Sequence, residues 1–171
     1  RGDKTSHKSM MVNVSVSIGV QTQVKLLINQ YLKDLLESIS VNYGLEKDAL
    51  QDDDISKLNF LYTQEFKKEP WNDVLLELNK AASKIEVLEI NSNSGDSLSY
   101  EDDDYPNGRS VIAIGGYSLS RGLTLEGLSV SYLLRNTRMY DTLMQMGRWF
   151  GYRIGYEDLC RIYMTRNSIS W

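Results

Sequence analysis

The sequence predicts an α/β protein with a mostly parallel β-sheet flanked by helices. Residues 10–17 alternate between apolar and polar side chains, as a strand does, and an amphipathic helix pattern follows immediately. A helix-rich stretch then leads to a second strand pattern. Three more strand patterns follow, separated by loops and a further helix pattern. Strands that alternate with helices in this way are typical of a parallel sheet.

The first half of the chain predicts one strand and several helices. Met10–Ser17 reads MMVNVSVS, which has the period of two expected for a strand. Gln21–Ser40 carries apolar residues at steps of three and four, which predicts a helix with one wide apolar face. Asp52–Lys68 predicts a second helix, and a third begins near Pro70 and continues to about Ile85. We interpret residues 41–83 as a helical insertion between strands.

The second half predicts the remaining strands. Residues 91–109 form a polar, acidic loop that contains the turn-forming sequence Pro-Asn-Gly. A helix of about residues 137–149 follows from its apolar spacing. The predicted strands are Lys84–Ile90, Val111–Ile114, Leu128–Leu134 and Cys160–Thr165.

Composition favours one soluble domain that spans residues 1–171. The 171 residues are 42% hydrophobic and 25% charged, which is ordinary for a globular domain. The apolar runs are too short to cross a membrane, so no membrane partner is expected. The chain begins with Arg1 and has no leader, so we expect it to be a piece of a longer protein. One cysteine, Cys160, excludes an internal disulfide and fits the reducing cytoplasm.

Charge is divided unevenly along the chain. Residues 1–104 contain 11 basic and 19 acidic side chains, a net charge of −8, whereas residues 105–171 contain 8 and 4, a net charge of +4. Every basic residue of the second part is arginine, which grips phosphate oxygens in pairs better than lysine does. This asymmetry predicts an anionic ligand for the C-terminal part.

Two glycine- and arginine-rich segments follow two of the predicted strands. The first, residues 115–124, offers backbone N–H groups, hydroxyls and one guanidinium, all of which suit phosphate oxygens. The second, residues 144–155, places two arginines around an aromatic turn, where they could stabilise charge on a phosphoryl group. Each segment alone also fits tight turns, core packing and carbonyl capping. Tyr117, Trp149 and Tyr152 could stack on bases or could simply pack.

The two segments together resemble motifs V and VI of superfamily-two helicases, which lie in the second RecA-like domain. Arg121, Gly122 and Thr124 match the core of motif V, and Gly147 and Arg148 match the Gly-Arg of motif VI. The segments GGYSLSRGLTLEGL, YDTLMQMGRWFGYRIGYEDLCRIYMT and HKSMMVNVS resemble the Z-one (Z1) domain, a family described as a putative endonuclease associated with helicase regions in bacterial proteins. The resemblance is dense over the last third of the chain.

The resemblance implies a RecA-like lobe of an ATP-dependent protein that acts on DNA. It implies arginine fingers at Arg148 and Arg153 that act on ATP and Mg²⁺ held by an N-terminal ATP-binding lobe of the same protein. The chain itself has no GxxxxGK[ST] phosphate loop and no DExx box. The residues implied to bind phosphate or nucleic acid are Gly116, Tyr117, Ser120, Arg121, Gly122, Thr124 and Gln145.

Two other functions fit the same sequence. One is a metal-dependent endonuclease module, although Glu77–Lys80 and Glu89–Asn91 match nuclease motifs poorly and we expect both on the surface. The other is a non-catalytic scaffold whose arginines only hold nucleic-acid backbone. His7 is expected to be structural or solvated, and Cys160 is expected to be buried and inert in its strand.

Overall fold

A computed structural model describes residues 6–45, 48–66, 68–91, 98–101, 103–116, 119, 124–134 and 155–166. The chain divides into two compact units. The sheet unit comprises residues 1–26 and 86–171, and the helical unit comprises residues 27–85. The predicted helix of residues 137–149 lies outside the described residues.

The sheet unit is built on a parallel sheet of five strands. The strands are β1 (Lys8–Asn13), β2 (Ile85–Ile90), β3 (Ser110–Gly115), β4 (Leu128–Leu133) and β5 (Arg161–Met164). Their order across the sheet is β2-β3-β1-β4-β5, and all of them run in the same direction. The α/β class predicted from the sequence is therefore confirmed, and the architecture is consistent with a RecA-like fold.

The first strand is shorter at its C-terminal end than its alternating pattern predicts. β1 ends at Asn13, and α1 (Ile18–Asn42) begins three residues before the predicted Gln21. The N–H groups of Val20 and Gln21 already donate to the Ser17 carbonyl, at 3.1 and 3.2 Å. Residues 14–17 therefore form the connection between β1 and α1, although their side chains alternate like those of a strand.

The helical unit contains the rest of α1 together with α2 (Asp53–Glu65) and α3 (Trp71–Ala82). Ile39, Ala49, Ile55, Leu75 and Ala82 form its buried core. The apolar face predicted for α1 is only partly buried: Leu27 and Tyr31 are 68% and 59% exposed.

Helix α2 begins at an N-cap. The Asp52 carboxylate accepts hydrogen bonds from the N–H groups of Asp54 and Ile55, at 3.0 and 3.1 Å, and from the Ser38 hydroxyl. This is the preferred way to satisfy the first amides of a helix. The N–H groups stabilise the charged carboxylate, so the pKa of Asp52 is lowered, mainly by the bond from Ile55 and then by that from Ser38.

The sheet unit has its own core. Apolar side chains from the strands and the adjoining loops pack together on the sheet, and the buried members are Met11, Ile90, Val111, Ala113, Leu119, Leu125, Leu128 and Leu133. The predicted turn at Pro106–Gly108 is present, with Gly108 at a φ of 71° and its N–H bonded to the Tyr105 carbonyl. That φ favours glycine because it has no Cβ.

Candidate functional site

The carboxyl ends of the parallel strands form one edge of the sheet, which we call the carboxyl edge. In the last register row, Asn13 of β1 lies opposite Gly115 of β3 and Leu133 of β4, and Leu133 lies opposite Met164 of β5. The chain leaves β3 into the first glycine-rich segment and leaves β4 toward the second. The first segment predicted to bind phosphate therefore starts at this edge, and the second follows β4 in the sequence, mostly outside the described residues.

The strand order places a switch point at the centre of this edge. The connection that leaves β1 leads to β2 on one side of the sheet, and the connection that leaves β4 leads to β5 on the other. β1 and β4 are neighbours, so these two connections diverge between them. In open α/β sheets, ligands bind in the crevice that such a divergence creates.

Gly116, the first predicted phosphate-binding residue, is buried against the start of α1. A Cβ atom at this position would lie 2.5 Å from the Ser15 carbonyl oxygen, 3.2 Å from the Val16 Cα and 3.1 Å from the Gln21 amide nitrogen. Asn13 also donates from Nδ2 to the Gly116 carbonyl, at 3.4 Å. Glycine is required here because the backbone of the first segment runs directly against the connection between β1 and α1.

A buried carboxylate lies at the same edge, next to Gly116. Glu89 of β2 is 8% exposed, and its carboxylate accepts hydrogen bonds from the Thr22 hydroxyl, at 3.0 and 3.1 Å, and from Asn91 Nδ2, at 2.6 Å. Asn91 Nδ2 also approaches Gln21 Oε1 at 3.1 Å. Gln21 in turn donates to the Ser15 carbonyl at 2.8 Å. This network joins the end of β2 to the first turn of α1.

The expectation that Glu89 lies on the surface is wrong. The strand alternates as IEVLEI, and Val87 and Glu89 share one face of it. That face is covered, so the carboxylate is buried and needs hydrogen-bond donors. The signal in the sequence is that Glu89 has the same strand parity as the apolar Val87, whereas the other acidic residue of the strand, Glu86, has the opposite parity.

Asn13 contributes a polar atom that has no hydrogen-bond partner. Its side chain is 2% exposed, and Oδ1 accepts no hydrogen bond, as is also true of Ser131 Oγ in β4. Asn13 and Ser131 lie on the same face of neighbouring strands, because their register partners are Leu133 and Met11. Buried acceptors without a partner are uncommon in folded proteins.

The opposite edge of the sheet carries a separate polar network. Arg109 is 6% exposed, and its guanidinium binds the Glu86 carboxylate at 2.7 Å and the Ser99 carbonyl at 2.8 Å. Its carbon Cζ also lies 4.5 Å from the centre of the Tyr105 ring. Burial opposes the charge of Arg109, but Glu86 outweighs that effect and the pKa of Arg109 is raised. Arg109 is therefore a structural cation.

His7 belongs to this opposite edge and has the structural role expected of it. It is 8% exposed, and its Nδ1 accepts a hydrogen bond from the Arg109 N–H at 3.0 Å. The Tyr100 ring packs against it edge to face, at 4.9 Å between ring centres. The Tyr100 hydroxyl lies 2.7 Å from Ser9 Oγ. Burial raises the pKa of Tyr100.

Cys160 is only partly buried, contrary to the expectation that it is buried within a strand. β5 begins at Arg161, one residue later, and the Cys160 thiol donates weakly to the Tyr156 carbonyl at 3.5 Å. The short helical turn at Glu157–Leu159 precedes it and sets the start of the strand.

Two of the predicted site residues fall within the described structure. Gly116 is buried at the carboxyl edge, and Thr124 is exposed ahead of β4. The other predicted site residues lie outside the described residues: Tyr117, Ser120, Arg121, Gly122, Gln145, Arg148 and Arg153. Trp149 and Tyr152 lie outside them as well.

Two kinds of feature are absent from the part of the chain that the structure describes. None of its helices is long and apolar enough to cross a membrane. Within the same residues, no three histidine, cysteine, aspartate or glutamate side chains come together where they could hold a metal ion.

These features define an α/β protein with a five-stranded parallel sheet and a polar, glycine-containing carboxyl edge. The whole chain, residues 1–171, matches the family model of the Z1 domain. The chain therefore belongs to the Z1 domain family, as its sequence resemblance indicates. No curated protein and no solved structure gives a significant match to it.

Proposed function

We propose that this chain is the second lobe of a helicase-like, ATP-dependent protein that acts on DNA. The observation that carries the proposal is that the first glycine- and arginine-rich segment leaves β3 and the second follows β4 in the sequence, and these two strands flank the central strand β1 of a parallel sheet. Such a position lets backbone N–H groups and guanidiniums from two segments meet at one edge.

The distribution of charge supports an anionic ligand. Residues 105–171 contain eight arginines and four acidic residues. Arg109 is already neutralised by Glu86 at the opposite edge. Of the other seven arginines, five lie between β3 and β5 in the sequence: Arg121, Arg135, Arg138, Arg148 and Arg153.

Each predicted site residue has a role in this proposal. The first segment binds the phosphate backbone of DNA with the N–H of Gly116, the hydroxyls of Ser120 and Thr124, and the Arg121 guanidinium. Gly122 permits the close approach of the backbone, and Tyr117 and Gln145 contact the nucleic acid. Arg148 and Arg153 act on ATP and Mg²⁺ that another lobe holds, where they stabilise charge on the transferring phosphoryl group.

DNA binding by Arg121→Ala tests the first role. A phosphate contact releases about one counterion from DNA when it forms. The variant should therefore bind every DNA sequence more weakly, and the slope of log K against the logarithm of the salt concentration should be smaller by about 1. Lys80→Ala is the matched control, because Lys80 is an exposed cation on α3 in the helical unit. Equal slopes for wild type and Arg121→Ala would remove Arg121 from the DNA interface.

ATP hydrolysis by Arg148→Ala tests the second role. The 171-residue chain alone should not hydrolyse ATP, whereas a protein that also contains the ATP-binding lobe should. In that protein, Arg148→Ala should lower kcat far more than it changes KM, because an arginine finger acts mainly in the transition state. An unchanged kcat would contradict the finger role and would favour the scaffold function.

The endonuclease function makes a different prediction. The chain alone should then nick plasmid DNA in the presence of Mg²⁺ or Mn²⁺, and a chelator should stop it. An agarose-gel assay of supercoiled plasmid measures this directly, with heat-denatured chain as the control.

A further inference from the structure

Two tyrosine rings are stacked at the end of the sheet where β5 forms the edge. The Tyr132 ring of β4 and the Tyr163 ring of β5 lie 4.5 Å apart between centres, with 17° between their planes. Tyr163 is 41% exposed. A cross-strand aromatic pair stabilises the attachment of an edge strand. A pair of rings buried from solvent would stabilise the strand equally, so this role does not require an exposed ring.

The position of this pair links it to the carboxyl edge. Ile114, Val12, Tyr132 and Tyr163 form one register row on one face of the sheet, immediately before the last row. The rings therefore lie one residue from the points where β4 and β5 end. This is the edge at which the first proposed phosphate-binding segment starts.

An arginine, Arg161, also lies on this face of the sheet. Arg161 and Tyr163 are two residues apart in β5, so their side chains leave the strand on the same side. Arg161 Nη1 donates to the carbonyls of Asp158 and Cys160, at 2.8 and 3.0 Å. These bonds direct the guanidinium toward the start of β5, where Glu157 and Asp158 lie in the preceding turn.

We infer that Tyr132 and Tyr163 form a stacking platform for the bases of single-stranded DNA. An exposed aromatic ring on a face that also carries a cation is a combination that binds single strands, because every base offers a π-face and every linkage a negative charge. A duplex gains little from such a platform, since its bases are already stacked on each other. The inference rests on the proposed function and adds to it a preference for single strands.

Binding of two DNA probes by Tyr163→Ala tests the platform. The probes are an oligothymidine about ten nucleotides long, within the length that such surfaces cover, and a hairpin duplex of the same length, which stays base-paired because its strands are linked. Loss of one stacked base should weaken oligothymidine binding about 5- to 150-fold and leave duplex binding within about 2-fold. Tyr163→Phe keeps the ring and should bind like wild type.

Tyr43→Ala is the matched control. Tyr43 is 47% exposed, similar to Tyr163, but it follows α1 in the acidic helical unit. Its replacement should change neither affinity. If Tyr163→Ala weakens both probes equally, or neither, the platform is overturned while the proposed function stands. If the wild-type chain binds no DNA at all, both are overturned.

A crosslinking experiment on the wild-type chain keeps the inference testable if Tyr163→Ala does not fold. An oligothymidine that contains 5-iodouracil crosslinks to aromatic side chains on which the base stacks. After irradiation and proteolysis, mass spectrometry should find the modification on Tyr163 or Tyr132. Crosslinks confined to other residues would overturn the platform.

Discussion

Gly116→Ala is the substitution whose effect the structure determines most closely. The added Cβ would lie 2.5 Å from the Ser15 carbonyl oxygen. Real Cβ atoms are essentially never found closer than 3.0 Å to such an atom. The obstacle is backbone, so it cannot be relieved by a change of side-chain rotamer. The Ser15 carbonyl is also held by Gln21, which is 2% exposed.

The expected cost follows from this geometry. Overpacking a well-packed site costs about 1–3 kcal/mol, and the backbone contact places Gly116→Ala in the upper part of that range, about 2–3 kcal/mol. For a chain of this length each kcal/mol lowers the melting temperature by about 2–4 °C. We therefore expect a loss of about 4–12 °C.

Urea unfolding followed by far-ultraviolet circular dichroism measures the loss in free energy of unfolding, and thermal unfolding measures the loss in melting temperature. Hydrogen exchange of the β1 and β3 amides assigns it to the sheet unit. Gly44→Ala is the matched control, because a Cβ at Gly44 would meet nothing within 4 Å, and its free energy of unfolding should change by less than about 0.5 kcal/mol. If Gly116→Ala is as stable as Gly44→Ala, the close contact between the first segment and α1 is wrong.

Two further predictions concern buried or capping carboxylates. Asp52 has a lowered pKa in the folded chain, so its contribution to stability is present above the unfolded value of about 3.9 and is lost as pH falls through the lowered pKa. Asp52→Asn retains an N-cap but not the charge. Between about pH 5 and pH 2, the free energy of unfolding should therefore fall less steeply in this variant than in wild type, and parallel acid titrations would contradict the cap. Glu89→Ala leaves the Thr22 hydroxyl and the Asn91 amide without their acceptor, so it should lower the free energy of unfolding in urea by about 1–3 kcal/mol. The control is Glu77→Ala at an exposed position on α3, which should lower it by less than about 0.5 kcal/mol. Equal effects of the two glutamate substitutions would show that Glu89 is not buried.

The strands were predictable where a short apolar run is bounded by turn residues. β2, β3 and β4 lie within a residue of their predicted bounds, because β-branched and apolar runs ended by glycine or asparagine allow few alternatives. The end of β1 was less predictable, because residues 14–17 alternate like a strand although the strand ends at Asn13. The local pattern of side chains does not indicate where the backbone hydrogen bonds of the sheet end and those of the helix begin.

The candidate site was predictable only in part. The phosphate site inferred from glycine and arginine in the C-terminal segments stays a prediction, because most of those residues lie outside the described structure. The Glu89 network was not predictable, because it joins residues 67 to 70 positions apart through side-chain hydrogen bonds. The same is true of the Tyr132–Tyr163 stack, which depends on β4 and β5 being neighbours in a particular register.

A hydrogen-exchange footprint of bound DNA tests the central claim most directly, because it reports which edge of the sheet the ligand covers. Saturating single-stranded DNA should protect the amides of residues 115–124 and 144–155, at and beyond the ends of β3 and β4. Residues 98–101 and 103–109, near the opposite edge, should exchange as in the free chain. Protection confined to that opposite edge, or no protection at all, would contradict the account.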